Sequence, residues 1–485
     1  MFRDLGRMLE GSAEQYSDRT AIIHEGKQYT YRQLNGAVTV LAQRLRSLGL
    51  GKGDHVALML PNCPEFVASY FAAQKIGAVA VAVNAQSTSY ELRYLLDNCD
   101  AKCFITSGPL TRRFEEIRDK LPLCRHLIIV QGEGGDSPFS VATEGEAVPF
   151  DIPELDLDDP AVMIYTSGLT GRPLGAVLTQ RNMLHQSKLL RLMINGTEKD
   201  RNLSIIPFFH SFGATANMVG ALRIGMSMVI MERFTLEGIF QAIERDRVTF
   251  IAAVPRLFLG MLLQEGAESY DVSSLRLCVT GGAPMPPDLM LPFEQKFGIT
   301  LLEGYGLTEA SPVCSFSRLE LPKKPGSIGL ALPDVSARIL DDQGRELPRS
   351  QEGELVIKGD NVMKGYYKDE QATAEVIRDG WLHTGDLARI DEEGYIFLTG
   401  RKKRMIITSG FNVYPKEVET VLLLHPAVAA AEVISQPDLL RGEIVKARIL
   451  TRPGLSVDEK DLLKHCRVYL SSYKQPREIE FVQKI

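Results

Sequence analysis

Short apolar runs alternate with helix-patterned stretches through the first part of the chain, and that alternation restricts the fold more than any other feature. His55–Leu60, Val79–Val83 and Lys102–Ile105 read as strands. Between them, Tyr31–Leu48 carries Leu34, Val38, Leu41, Leu45 and Leu48 at helical spacing, and it runs into the glycine-rich turn at residues 49–53. Pro64–Ile76 and Glu91–Asn98 read as further helices. Such β/α alternation predicts a largely parallel sheet covered by helices. A second run of the same kind follows, with strands at Ser204–Ile206, Met228–Ile230, Phe250–Ala253 and Leu277–Val279 and helices at Gly238–Asp246 and Leu257–Gln264. From Gly326 to Gly400 the pattern changes to shorter strands broken by Gly, Asp and Pro, at Val335–Leu340, Gly353–Ile357 and Tyr395–Leu398, which predicts a β-rich subdomain. The basic run Arg401–Arg404 marks the next boundary. Beyond it, helices at Pro415–Leu424 and Val457–Val468 flank strands at Val428–Val433 and Ile444–Leu450, an α+β pattern. At 485 residues the chain is too long for one core, so two or more domains are expected.

Composition narrows the class. Hydrophobic residues at 45% and charged residues at 24% suit a soluble globular enzyme. The formal net charge of −6 provides no basic field for nucleic acid. The seven cysteines are scattered and form no CxxC pair, so free core thiols in a reducing compartment are expected. Cys99 and Cys103 lack nearby histidines at ligand spacing, which argues against zinc. The N-terminus lacks the apolar core of a signal peptide, and Ala78–Val83 is far too short to span a bilayer. A cytoplasmic enzyme with no transmembrane segment is the reading. A homodimer is an open expectation.

The chemistry begins after the apolar run Ala161–Ile164. The stretch Tyr165–Gly175 packs glycines and hydroxyls into a tight turn. Glycines let backbone N–H groups approach an anion, and Ser and Thr hydroxyls add donors, as a polyphosphate requires. No Gly-Lys-Ser/Thr follows, so this is not a Walker A loop. Alone, such a cluster after a strand is more often just a loop. Downstream stand Pro207-Phe-Phe-His-Ser-Phe-Gly213, Gly281-Gly-Ala-Pro284, Gly304-Tyr-Gly-Leu-Thr-Glu-Ala310, Trp381-Leu-His-Thr-Gly-Asp386 and Gly400 to Asn412. In this order and spacing the motifs resemble the acyl-adenylate-forming superfamily, which includes acyl-CoA synthetases, amino-acid adenylation domains and firefly luciferase. The resemblance runs from about residue 10 to the last residue, and the acyl-CoA synthetase branch fits best.

The resemblance implies an α/β fold. A large N-terminal domain, residues 1–400, would hold stacked α/β sheets plus the β-rich subdomain, and a small mobile α+β C-terminal domain, 401–485, would follow. It implies a carboxylic acid, ATP, Mg²⁺ and coenzyme A at one site, with acyl-AMP formed first and the acyl group then passed to the CoA thiol. Thr166, Ser167, Gly168, Thr170 and Gly171 match the phosphate loop, with Leu169 where Thr is usual and Leu174 where Lys is usual. Weakened pyrophosphate handling is expected from Leu174, with Arg172 as a partial substitute. Glu309 matches the metal-associated glutamate, and one carboxylate is enough for Mg²⁺ beside phosphate oxygens. Thr308 would donate to the α-phosphate. Tyr305 would stack on adenine, with Gly281, Gly282, Ala283 and Pro284 on the other side and Gly304 and Gly306 beside it. Asp386 would accept from both ribose hydroxyls, with Arg401 as the second ribose contact.

His210 matches a histidine near the carboxylate; without its motif it would read as a core residue. Phe212, Gly213, Ala216, Gly281, Gly304, Gly306 and Val313 are the matching acyl-pocket positions, and their small or apolar side chains suit a fatty, alicyclic or aromatic acid. Ser211 stands where amino-acid-adenylating relatives carry Asp, which argues against an amino-acid substrate. Ser409, Gly410 and Phe411 match the pantetheine loop, and Lys403 falls on the hinge. Thr166, His210, Glu309 and Lys403 are therefore the catalytic set expected. In the family the segment after Phe481–Ile485 continues to a Gly-Lys whose Lys serves adenylation, and Lys484 is not its equivalent, so slow adenylation by a chain ending at Ile485 is expected. Two alternatives stay open: an acyl-AMP ligase loading a carrier-protein thiol, and a catalytically weak nucleotide- or acyl-binding protein.

Overall fold

The helix Pro64–Lys75 is buried at every position, Glu65, Gln74 and Lys75 included. A helix without a solvent face must lie inside the molecule, and this one lies between two sheets. The computed structural model describes residues 2–132, 136–142, 150–167, 172–402, 405–438 and 441–485, without the side chains of 141, 142, 167 and 287. In the first sheet the strands run in the order Gly365–Tyr366, Pro173–Thr179, Pro160–Ser167, Val79–Ala82, His55–Met59, Cys103–Ser107 and His126–Gln131. The expected parallel pairing is present, with His55 opposite Val79 and Val56 opposite Cys103. Alternate residues of one strand serve two cores. Val56 and Leu58 face the central helices, whereas Ala57 and Met59 pack with Leu92, Leu96 and Phe114 on the outer side.

The second sheet is built the same way. Its parallel strands Arg201–Ser204, Ser227–Ile230, Phe250–Ala253, Leu277–Thr280 and Thr300–Gly306 send Met228, Ile230, Ala252 and Val279 into the shared core. Their alternates Val229, Ile251 and Cys278 join a cluster with Phe240, Phe258 and Phe293. Thr20–His24 joins this sheet beside Ser227–Ile230 and brings the antiparallel partner Lys27–Thr30. The strand expected at Ser204–Ile206 is Arg201–Ser204 instead, because the chain leaves the sheet at Ile205 toward Pro207, which has no N–H to donate to a ladder.

Trp381–Ile390 is the centre of the β-rich part, between Gly353–Gly359 and Ile396–Arg401. The last part of the chain has its own sheet, in which Gly442–Thr451 pairs with Val428–Asp438, Ile406–Thr408 and Glu478–Phe481. Helices Pro415–Leu423 and Glu459–Tyr469 complete a separate buried cluster running from Ile406 to Leu470. The molecule is thus a large α/β lobe and a smaller α+β lobe. All seven cysteines are free and buried. Among the described residues no helix is long and apolar enough to cross a membrane.

Candidate active site

A cleft opens at the carboxyl ends of the parallel strands of the second sheet, the usual ligand position in an open α/β sheet. Three loops leaving those strand ends line it. They supply His210 to Phe212, Gly281 to Pro284, and Leu307 to Glu309 with Pro312. The first sheet contributes Thr166 and Leu174, opposed in register at the strand ends. The β-rich part contributes His383 to Asp386 and Arg401, and the small lobe contributes Gly410, Asn412 and Tyr414.

Glu309 lies where the two sheets meet. The Tyr366 hydroxyl donates to its Oε1 at 2.7 Å, and the Thr166 hydroxyl lies 3.4 Å from the same oxygen. Burial, then the nearby Glu309 charge, pushes the Tyr366 hydroxyl far above its usual range, so it stays a donor. The sequence reading missed Tyr366; its only signal was a place in Lys364-Gly-Tyr-Tyr-Lys368. Thr308 shares a hydrogen bond with Ser211 across 3.2 Å.

His210 is enclosed, and burial pulls its pKa down to about 4, so the ring is neutral at pH 7. Its Nδ1 accepts the Phe212 N–H at 3.2 Å, which leaves Nε2 to carry the proton. A neutral Nε2–H donor is suited to a substrate carboxylate. The glycines here are steric requirements. A Cβ on Gly306 would stand 2.0 Å from the Pro312 carbonyl oxygen, and one on Gly281 would stand 3.0 Å from that of Gly304.

Phe212 and Val313 line the cleft. Gly213 and Ala216, expected beside them, belong to the π-helical turn Gly213–Val219, with Gly213 buried and Ala216 partly exposed. There a Cβ on Gly213 would collide with the Pro207 carbonyl oxygen at 2.2 Å. Gln186, which sequence reasoning also missed, holds the Val313 backbone from behind, donating to its carbonyl at 3.0 Å and accepting its N–H at 3.2 Å.

Tyr305 donates to Asp386 Oδ2 at 2.5 Å, and Arg401 Nε donates to Oδ1 at 3.1 Å. Both Asp386 oxygens, expected to accept ribose hydroxyls, therefore already accept in this structure. Two residues before Tyr305 on the same strand lies an unexpected carboxyl, Glu303. It is 5% exposed and lines the cleft. Burial raises its pKa to about 7 against the opposing hydrogen bond from the Met285 N–H. Its register partner Thr280 has a buried hydroxyl without a hydrogen-bond partner among the described residues.

Gly410 has φ +84°, and a Cβ there would lie 2.5 Å from Val254 Cγ1. Ser409 and Phe411 stand beside the cleft. Ser409 accepts from Arg256 at 2.9 Å, and Phe411 stacks on Phe209 with centroids 6.4 Å apart. Arg172 is exposed and does not line the cleft, whereas Leu174 does. Gly168, Leu169, Thr170, Gly171 and Lys403, and the Ser167 side chain, lie outside the described residues.

Two family models match the chain: AMP-binding enzyme over residues 9–367, and AMP-binding enzyme C-terminal domain over 417–485. A Bacillus subtilis long-chain-fatty-acid–CoA ligase is 34% identical over 509 residues, covering 99% of this chain and 91% of that protein. An Amycolatopsis feruloyl-CoA synthase is 35% identical over 467 residues, covering 96% and 92%. Among solved structures, a Bacillus subtilis o-succinylbenzoate CoA synthetase bound with a product analogue superposes with a TM-score of 0.87 at 29% identity, covering 99% of this chain and 95% of that one. The chain belongs to the AMP-binding enzyme family. Its type within that family is the AMP-forming acyl-CoA ligase, which forms carbon–sulfur bonds.

Proposed function

We propose that this chain activates an apolar carboxylic acid with ATP and Mg²⁺ and then transfers the acyl group to CoA, with the residues around the cleft in the roles that follow. The observation that carries the reading is convergence. Thr166 and Glu309, the neutral His210, the Tyr305–Asp386 pair and Gly410 of the small lobe all face one cleft. In the first step a carboxylate oxygen attacks the α-phosphorus, and the bond to pyrophosphate breaks. In the second the CoA sulfur attacks the acyl carbonyl carbon, AMP leaves, and the thiol proton passes to solvent.

His210 would hold the acid through Nε2–H. Phe212 and Val313 would bound its apolar part, with Gly213 and Ala216 in the turn that follows Phe212. Tyr305 and Asp386 would hold the nucleoside, Asp386 exchanging its present donors for ribose hydroxyls. The carboxylate of Glu309 beside the Thr166 hydroxyl is a hard-oxygen set suited to Mg²⁺. Charge supports a need for the metal. Among the described lining residues Arg401 is the one fixed cation, against the carboxylates of Glu309, Glu375 and Asp386. A polyphosphate entering such a cleft requires metal counter-charge, all the more with Leu174 on the wall. The lobes would divide near residue 400, with Lys403 as the hinge.

The test is AMP release over a panel of aliphatic and aromatic acids at varied Mg²⁺, with and without CoA. CoA-dependent AMP and acyl-CoA with apolar fatty, alicyclic or aromatic acids is expected. Acyl-AMP that accumulates without acyl-CoA would transfer the assignment to a ligase serving another thiol.

A further inference from the structure

One cluster of ionisable groups lies outside the lining of the cleft and is absent from the chemistry above. Lys474 of the small lobe is buried between two carboxylates. Its Nζ lies 2.9 Å from Glu91 Oε1 and 2.7 Å from Glu417 Oε1. All three side chains are less than a tenth exposed. Glu417 belongs to the small lobe, but Glu91 belongs to the large one, on the helix Ser89–Asn98. The Ser471 hydroxyl donates to Glu91 Oε2 at 2.6 Å.

The charges do not balance evenly. One ammonium faces two carboxylates, and Glu417 alone suffices to neutralise Lys474 inside its own lobe. Glu91 is surplus to the folding of the small lobe; what it adds is a bond between lobes. Burial pushes the Glu91 carboxyl upward, but Lys474, Ser471 and the Thr88 N–H together outweigh it and keep the group ionised. Around the tie, the Thr88 hydroxyl donates to the Tyr469 carbonyl at 3.3 Å and Ser472 donates to Gln86 at 2.9 Å.

The tie also leads to the cleft. Tyr473, next to Lys474, stacks on Phe411 with centroids 4.7 Å apart, and Phe411 stacks on Phe209, the neighbour of His210. Gly410, beside Phe411, lines the cleft. Thr166, Glu309 and Asp386 are all large-lobe residues and need no such seating.

We infer that Glu91 is a positioning residue for thioester formation: through Lys474 and Ser471 it seats the small lobe so that Gly410 and Phe411 meet the cleft. The inference rests on the two-step reading above. A buried ion pair is weak evidence for stability; the role inferred for this one is orientation, because Glu91 meets Lys474 only when the two lobes sit together.

Glu91→Gln in the full chain is the discriminating variant. Glutamine keeps the capping box with Thr88 but removes the charge facing Lys474. Acid-dependent ATP–pyrophosphate exchange should stay within about twofold of wild type, and single-turnover thioester formation from preformed acyl-AMP and CoA should fall about tenfold or more. A second measurement reads the seating itself. In a Gln86→Cys, Ser472→Cys background, disulfide formation should slow when Glu91→Gln is added, and the closed cross-link should restore the thioester step. Equal loss in both half-reactions, or an unchanged thioester step, would overturn the inference. If wild type shows neither half-reaction, the functional reading falls, and the cross-linking rate alone decides the tie.

Discussion

Glu303→Gln isolates one buried carboxyl in the candidate site. Burial in the wall of the cleft raises the Glu303 pKa from 4.5 to about 7. In the unfolded chain the group ionises near 4.5. Between those values the unfolded chain releases a proton that the folded chain keeps, so folded stability falls as pH rises, and the whole penalty is present above pH 7. At 1.36 kcal/mol per pKa unit the full effect is about 3 kcal/mol, of which about 2.5 kcal/mol accrues between pH 5 and pH 8. Glutamine cannot ionise and can still accept the Met285 N–H. The variant should therefore gain on wild type by about 2 to 3 kcal/mol on going from pH 5 to pH 8. Urea unfolding of both proteins at both pH values measures this, and the double difference cancels groups common to the two. Infrared difference spectra should also show a protonated-carboxyl band that disappears near pH 7 in wild type and is absent in the variant. A constant stability difference across the two pH values would refute the argument, because it would mean that Glu303 ionises alike folded and unfolded.

Two further outcomes test the binding assignments. Asp386→Ala removes the acceptor shared by Tyr305 and Arg401 and should weaken ATP and AMP alike, by about 2 kcal/mol in calorimetry; unchanged AMP affinity would remove Asp386 from the nucleotide site. Gly410→Ala places a methyl 2.5 Å from Val254 Cγ1 at φ +84°, so acyl transfer to CoA should slow about tenfold while pyrophosphate exchange is kept; equal slowing of both steps would contradict a role confined to the second.

The alternating patterns around His55–Met59 and Val79–Ala82 were legible because strands buried on both faces read as continuous apolar runs. The glycine and histidine motifs were legible because each is local. Glu303 was not, because a glutamate in a sequence carries no mark of its burial, which here arises when Thr280 and Met285 close over it. Tyr366 and Gln186 were missed for a related reason: the groups they hold, Glu309 and Val313, are distant along the chain.

By itself the sequence determined the element types, the separation of an α/β part from an α+β part, and the local motifs that mark the chemistry. All of these depend on neighbours within a few residues, through periodicity, turn geometry and small side chains. Only the tertiary structure decided which distant groups share one cleft, that Asp386 already holds Tyr305 and Arg401, that His210 is neutral, and that Glu91 reaches Lys474 across the lobes. Those properties depend on burial and on charges brought close by folding, and neither the dielectric around a side chain nor its distance to a residue hundreds of positions away is written in local sequence.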